Sequence, residues 1–205
     1  MITIIDYGAG NLRSVLNAIA RLGYATKLVS SPQAVDNAEC VILPGVGAAG
    51  HIMASLKKSG LDNAIRKYIN ENRYFLGICV GMQVLLAESN ENNGCQCLNI
   101  VPGKVRKFNE GLKVPHMGWN QVKQKQAHPV FSGIPEATDF YFVHSYYCDP
   151  YDKTVVAAET EYGKPFCSAI IKGNMIATQF HPEKSGETGL KIYDNFIKLA
   201  SGKTL

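Results

Sequence analysis

Tyr74-Phe75-Leu76-Gly77-Ile78-Cys79-Val80-Gly81-Met82-Gln83 is an apolar run in which a cysteine stands between two glycines. Residues 74–78 are apolar without alternation, so an extended segment here buries both faces, which is the pattern of a central parallel strand. Val80, Val84 and Leu85 then return at helical spacing, and the strand is expected to turn sharply into a helix at Cys79. Upstream, short β-rich runs alternate with helical patterns, as in a parallel sheet with crossover helices. Residues 2–6 read as the first strand. Leu12, Val15, Leu16, Ile19 and Leu22 read as a helix stopped by Gly23, where a left-handed cap residue belongs. Residues 24–29 and 40–43 are further strands, the second ending in Pro44-Gly45-Val46-Gly47, and Leu61, Ile65, Tyr68 and Ile69 mark another helix.

Beyond about residue 90 the texture changes, because polar loops such as Asn90 to Asn93 separate shorter runs that look antiparallel. Strand candidates are residues 103–108, 119–123, 140–143, 154–158, 166–171 and 175–180. Leu190, Tyr193, Ile197 and Ala200 carry a closing helix, with Gly202 as its cap. No internal repeat and no low-complexity linker divides the chain. The expected fold is α/β, an open and mostly parallel sheet flanked by helices, with a β-rich antiparallel extension in the second half and one domain over residues 1–205.

Composition narrows the function classes. The chain has 205 residues, 46% hydrophobic and 19% charged, with 9 prolines, which is the make-up of an ordinary globular protein and not a disordered or fibrous one. A net charge of +4 is scattered along the chain, and its nearest approach to a cluster, Lys104, Arg106 and Lys107, reads as a solvated strand edge. No nucleic-acid partner is expected. Residues 74–87 are uncharged but too short to span a membrane, and residues 40–56 are broken by Pro44, Gly45, Gly47 and Gly50. Met1-Ile2-Thr3-Ile4-Ile5-Asp6 has no basic leader and reaches an acid at its sixth position, so a cytoplasmic protein is expected. Six cysteines match no zinc or redox spacing and are expected to be reduced. His116, His128 and His144 lack metal-ligand spacing, so no metal is expected. Gly8-Ala9-Gly10 follows the first strand, but Arg13 stands where a dinucleotide-binding loop has its third glycine, so no such cofactor is expected.

The chemistry centres on Cys79. A cysteine two residues from a glycine on either side, at a strand-to-helix turn, fits a nucleophile elbow. The tight turn strains the nucleophile, and backbone would approach positions 77 and 81 too closely for a side chain. A helix N-terminus behind the thiol would favour the thiolate. By spacing alone, a buried cysteine beside packing glycines accounts for the string equally well. A base is available in His181-Pro182-Glu183, which follows the apolar strand ending at Phe180. If the backbone stays extended, as Pro182 encourages for its predecessor, His181 and Glu183 project to one side, and the carboxylate orients the ring. An oxyanion would need two donors: the amide of Val80 and a second from Pro44-Gly45-Val46-Gly47 at the carboxyl end of the neighbouring strand. Whether those donors are preformed depends on the orientation of the peptide around Val46.

Pro44-Gly45-Val46-Gly47, Gly77-Ile78-Cys79-Val80-Gly81-Met82-Gln83 and His181-Pro182-Glu183, in that order, resemble the three blocks of the class I, triad-type glutamine amidotransferases. Asp6-Tyr7-Gly8-Ala9-Gly10-Asn11, Pro115-His116-Met117-Gly118-Trp119-Asn120, Tyr141-Phe142-Val143-His144-Ser145-Tyr146 and His181-Pro182-Glu183-Lys184-Ser185-Gly186 are similar to one branch of them, the glutaminase subunits of imidazole glycerol phosphate synthase. The resemblance spans residues 2 to about 200 and implies a flavodoxin-like fold. It implies that Cys79 attacks the side-chain amide of glutamine, that His181 protonates the departing ammonia and then activates water, and that Glu183 holds His181. It places Val80, Val46 and Gly47 in the oxyanion hole and Gly47, Gln83, Ser145 and Tyr146 against the glutamine. It also implies transfer of ammonia to a (β/α)8-barrel cyclase subunit, with Asn11, Trp119, Asn120 and Lys184 near that interface and no cofactor. Trp119, the only tryptophan, would by residue type alone be core, and the resemblance turns it toward a partner. Val80 stands where leucine or asparagine is commoner, which matters little if only its N–H is used.

Two alternatives remain at this level: a glutaminase subunit of another synthase, such as pyridoxal phosphate synthase, and a non-catalytic binding module with Cys79 an inert or redox-sensing thiol. The length of the chain leaves little room for an acceptor-binding domain, and a chain that releases ammonia is expected to be slow until its acceptor-binding partner is present.

Overall fold

The computed structural model describes residues 1–8, 11–108 and 111–204, so Ala9 and Gly10 of the Gly8-Ala9-Gly10 string lie outside the described residues. The first half alternates strands and helices: β1 (Ile2–Ile5), α1 (Leu12–Arg21), β2 (Thr26–Val29), α2 (Pro32–Asp36), β3 (Cys40–Gly45), α3 (Ala49–Ser59), α4 (Leu61–Asn70), β4 (Phe75–Cys79) and α5 (Val80–Gln83). The second half is strand-rich: β5 (Leu86–Ser89), β6 (Cys95–Gln96), β7 (Val101–Lys107), β8 (His116–Gln124), β9 (Thr138–His144), β10 (Tyr146–Pro150), β11 (Val156–Glu161), β12 (Pro165–Lys172) and β13 (Met175–Thr178). A 3-10 turn, Pro182–Lys184, then leads into α6 (Gly186–Ala200).

The sheet runs β2-β1-β3-β4-β13-β12-β10-β7-β5-β6. Its first five strands are parallel. Every residue of β1, β3, β4 and β13 is buried, as strands covered on both faces must be. From β13 onward the pairing to β12, β10 and β7 is antiparallel. β11 pairs with β12 and β8, and β8 pairs along its length with β9, so this second half is the antiparallel extension. Helices cover the parallel part through apolar stripes such as Val15, Ala18 and Ile19 of α1 and Leu61, Ile65 and Tyr68 of α4. Among the described residues no helix is long and apolar enough to cross a membrane.

Several elements differ from the sequence expectation. The helix after Cys79 is one turn, because Leu86 and its successors are drawn into the sheet beside β7; the dipole expected behind the thiol shrinks accordingly. Residues 153–155 form a 3-10 turn that Asp152 caps by accepting the Thr154 N–H at 2.9 Å, so that strand starts only at Val156. β13 stops at Thr178, two residues early, where Gln179 and Phe180 turn inward. Lys104 and Arg106 are tied to Glu88 and Asp149 at 2.6 and 2.7 Å, so these two cations are paired.

Candidate active site

The carboxyl ends of β3, β4 and β13 lie side by side, with Gly45 opposite Cys79 and Ile78 opposite Thr178. Cys79 closes β4 at φ +56°, ψ −111°, a conformation that costs a non-glycine residue about 1–3 kcal/mol. Glycine is required around it for close approach. A Cβ on Gly77 would come 2.9 Å from the Gly81 carbonyl oxygen, one on Gly81 would run into the Leu43 carbonyl oxygen, and one on Gly45 into the Gly81 nitrogen. The first glycine of Pro44-Gly45-Val46-Gly47 therefore serves the elbow as much as the turn.

A cavity of about 380 Å³ opens over the elbow, lined by Val46, Gly47, Cys79, Val80, Gln83, Glu91, Pro115, Val143, His144, Ser145, Tyr146, His181 and Lys184. It gathers every residue that the sequence placed in the triad, the oxyanion hole and the substrate site, except Glu183, which lies behind His181. Cys79 itself is only 3% exposed.

His181 meets Glu183 through Nδ1 and Oε1 at 2.7 Å, with both side chains buried. The route differs from the extended backbone expected. Residues 182–184 form a 3-10 turn, with Pro182 opening it, and it is this turn that swings Glu183 back onto the ring. The His181 backbone is pinned from both sides: its N–H donates to the Tyr141 carbonyl at 2.9 Å, and its carbonyl accepts from the Ser185 hydroxyl at 2.7 Å. Tyr193 from α6 donates to the other Glu183 oxygen at 3.3 Å. Burial alone would push the His181 imidazolium down, but the Cys79 sulfur and the Glu183 carboxylate outweigh it and hold the ring up at about 10. His181 Nε2 is buried with no hydrogen-bond partner, and it is the ring atom left for proton transfer.

Gln83 lines the cavity but spends Nε2 on the Tyr146 carbonyl at 2.9 Å and on Gln179 Oε1 at 3.0 Å. Gln179, Glu91, Tyr7 and His144 were not in the sequence-based site. Glu91 accepts the Ala49 N–H at 2.8 Å, which anchors a carboxylate at the cavity wall. Tyr7, whose hydroxyl is buried without a partner, is pushed up to about 12 by burial. His144 comes into contact with His116 only through the β8–β9 register, which no spacing rule would find.

Of the residues expected at a partner face, Trp119 is 58% exposed on β8 and meets Tyr141 edge-on at 6.1 Å. Lys184 places its ammonium 5.7 Å from the centre of the same Tyr141 ring, so the three form one patch. Asn11 begins α1, which packs against the turn bearing Lys184, and its Oδ1 accepts from Ser14 at 3.0 Å. Asn120 is turned back instead, donating to the Glu161 carbonyl at 2.9 Å and lying 3.1 Å from His116 Nε2.

A model of the family described as glutamine amidotransferase class-I matches residues 3–199. The chain belongs to the class I glutamine amidotransferases. Within that family its relatives include the imidazole glycerol phosphate synthase subunit HisH of Dehalococcoides mccartyi (strain ATCC BAA-2266 / KCTC 15142 / 195), 55% identical over 202 residues that cover 98% of each chain. The subunit HisH of Chloroflexus aurantiacus is 47% identical over 97% of this chain and 95% of that one. Among solved structures, a glutamine amidotransferase superposes with a TM-score of 0.75 at 20% identity, covering 98% of this chain and 100% of the other. PurLQS from Thermotoga maritima gives 0.76 at 18% identity over 97% of each chain. At those identities the likeness of the solved structures is one of class I amidotransferase fold alone.

Proposed function

We propose that the chain is the glutaminase subunit of an imidazole glycerol phosphate synthase, acting in histidine biosynthesis in the cytoplasm, where thiols stay reduced. The observation that carries this reading is Cys79 at positive φ under a cavity that also receives His181, with Glu183 at 2.7 Å behind the ring. High identity to HisH subunits along almost the whole chain supports the choice of synthase. One cluster of buried side chains from Ile2 to Ile197 supports a single amidotransferase domain over residues 1–205.

In the reaction, the Cys79 thiolate attacks the side-chain amide carbon of L-glutamine. The resulting oxyanion takes hydrogen bonds from the Val80 N–H and from the Val46-Gly47 peptide, each donor worth about 3–4 kcal/mol in the transition state. His181 protonates the nitrogen as the C–N bond breaks, ammonia leaves, and a thioester remains on Cys79. His181 then takes a proton from water, hydroxide adds to the thioester carbon, and glutamate departs as the sulfur regains its thiolate. Glu183 keeps Nδ1 protonated so that Nε2 does this work. Gln83, Gly47, Ser145 and Tyr146 position the glutamine, and Glu91 suits its α-ammonium group. Ammonia passes to a (β/α)8-barrel cyclase subunit that forms imidazole glycerol phosphate and AICAR. Asn11, Trp119, Asn120 and Lys184 meet that subunit.

Glutamate release measured with and without the cyclase subunit and its nucleotide tests reaction, partner and coupling together. Release should be slow alone and rise with both present. Cys79→Ala should abolish it, and equal rates in the presence and absence of the partner would refute the coupling.

A further inference from the structure

We infer that Gln179 is a positioning residue for the nucleophile: its side-chain amide, locked in one orientation by a hydrogen-bonded chain that runs from the Tyr146 carbonyl through Gln83, holds an N–H donor against the Cys79 sulfur. The inference rests on Cys79 being the attacking thiol. Gln179 is 0% exposed and lies between the end of β13 and His181. Its Nε2 is 3.6 Å from Cys79 Sγ, and its Oε1 is 3.0 Å from Gln83 Nε2.

The orientation follows from one atom that can only accept, the Tyr146 carbonyl oxygen. The Gln83 group 2.9 Å from it must be the NH2 end. That same NH2 faces Gln179, so the Gln179 atom opposite it must be oxygen, and the Gln179 nitrogen is left facing the sulfur. The carbonyl also fixes the other direction. His144 Nδ1 lies 2.8 Å from it and must carry the proton there. Burial lowers His144 to about 3 and His116 to about 4, so both rings are neutral at pH 7. His144 Nε2 is therefore an acceptor, and His116 Nδ1, 2.9 Å away, donates to it. His116 Nε2 in turn accepts from the Asn120 amide at 3.1 Å.

The chain is built of uncharged groups whose donor and acceptor roles are all set. A donor at the sulfur favours the anion over the thiol, and the same amide ties the sulfur to Gln83, the side chain against the substrate. Glutamate at position 179 has nearly the same shape and still accepts from Gln83, but it loses the donor and sets a carboxylate beside the sulfur, whereas leucine removes the donor and adds no charge. The titratable groups that interact with the sulfur are Tyr7, Cys148 and His181, with Glu91, His144 and Lys184 around the same cavity, and the substitution removes none of them.

The test uses the full chain with its cyclase partner. In Gln179→Glu, and in Gln179→Leu as a second variant, the pH at half-maximal alkylation of the Cys79 peptide by iodoacetamide should rise by about one unit or more, and kcat should fall on the order of tenfold with a smaller change in KM. Gln179→Leu, which removes the donor without adding a charge, decides the outcome: an unchanged alkylation midpoint together with unchanged kcat there overturns the inference. So does a Gln179 side-chain amide whose nitrogen-15 and proton shifts in the unsubstituted protein do not respond when Cys79 is alkylated, which is readable even where a variant fails to fold. Glutamine hydrolysis surviving in Cys79→Ala would instead overturn the reading of Cys79 beneath it.

Discussion

The parallel centre of the sheet and the β8–β9 hairpin reach the same cavity by opposite means. β3, β4 and β13 are buried at every residue, and their chemistry is made by backbone: three close-packed glycines and one cysteine at positive φ. β8 and β9 mix inward and outward side chains, with His116, Phe142 and His144 inside and Met117 and Trp119 exposed, so the hairpin joins a polar interior chain to an outer face. The centre fixes where the sulfur is, and the hairpin brings His144, backed by His116, to the cavity wall.

Gly81→Ala would strike the centre hardest. Its Cβ has no room beside the Leu43 carbonyl, so the strand-to-turn junction must open, at a cost of about 4 kcal/mol or more, read as a fall in the denaturant midpoint. A hairpin glycine, Gly118, has no neighbour in the way of a Cβ, and its penalty should come only from its φ of +133°. Next comes Glu183→Gln, which keeps the shape behind His181 but removes the charge that orients it; kcat for glutamine should fall about a hundredfold or more while the fold survives.

The two regions should also titrate in opposite senses. His116 and His144 are lowered to about 4 and 3 by burial, so on acidification the unfolded chain takes up protons from about pH 6.5 while the native rings stay neutral. Their contribution is complete above pH 6.5 and is lost as pH falls toward 4, by about 1.4 kcal/mol per ring per pH unit. His181 is raised to about 10 by Cys79 and Glu183 against burial, so its contribution is complete below about 6.5 and is lost as pH rises toward 10. Unfolding free energy measured from pH 4 to 10 should peak near neutrality, and replacing His116 with glutamine should flatten the acid limb alone. The smallest effect on the isolated chain belongs to Trp119→Ala. An exposed ring leaves stability within about 0.5 kcal/mol. Binding to the cyclase subunit, followed by titration calorimetry, should weaken clearly.

The parallel centre was legible because its information is local: an uninterrupted apolar run, a cysteine between glycines, a proline-glycine stop at the neighbouring strand. Even there the sequence overextended the helix after Cys79, since Leu86 was free to pair with Val101 from across a loop. α3 was hidden, as Gly47 and Gly50 masked the stripe of Ile52, Met53 and Leu56. The hairpin half was less legible because register decides its contacts. His116 meets His144, and Gln179 meets Cys79, across 28 and 100 positions of chain, so neither pairing leaves a periodic trace. Trp119 shows the limit of residue type: its bulk suggests a core, and it stands on the surface with Lys184 and Tyr141.

The Tyr146 carbonyl oxygen, accepting from Gln83 on one side and His144 on the other, has a consequence for how this chain can vary. Both lone pairs are spoken for, so a side chain that changes its hydrogen-bonding sense on either side leaves two acceptors facing each other. Positions 83 and 144 must each present a donor to that oxygen, so libraries randomised at either position should return only residues that can donate there, whatever stands at the other.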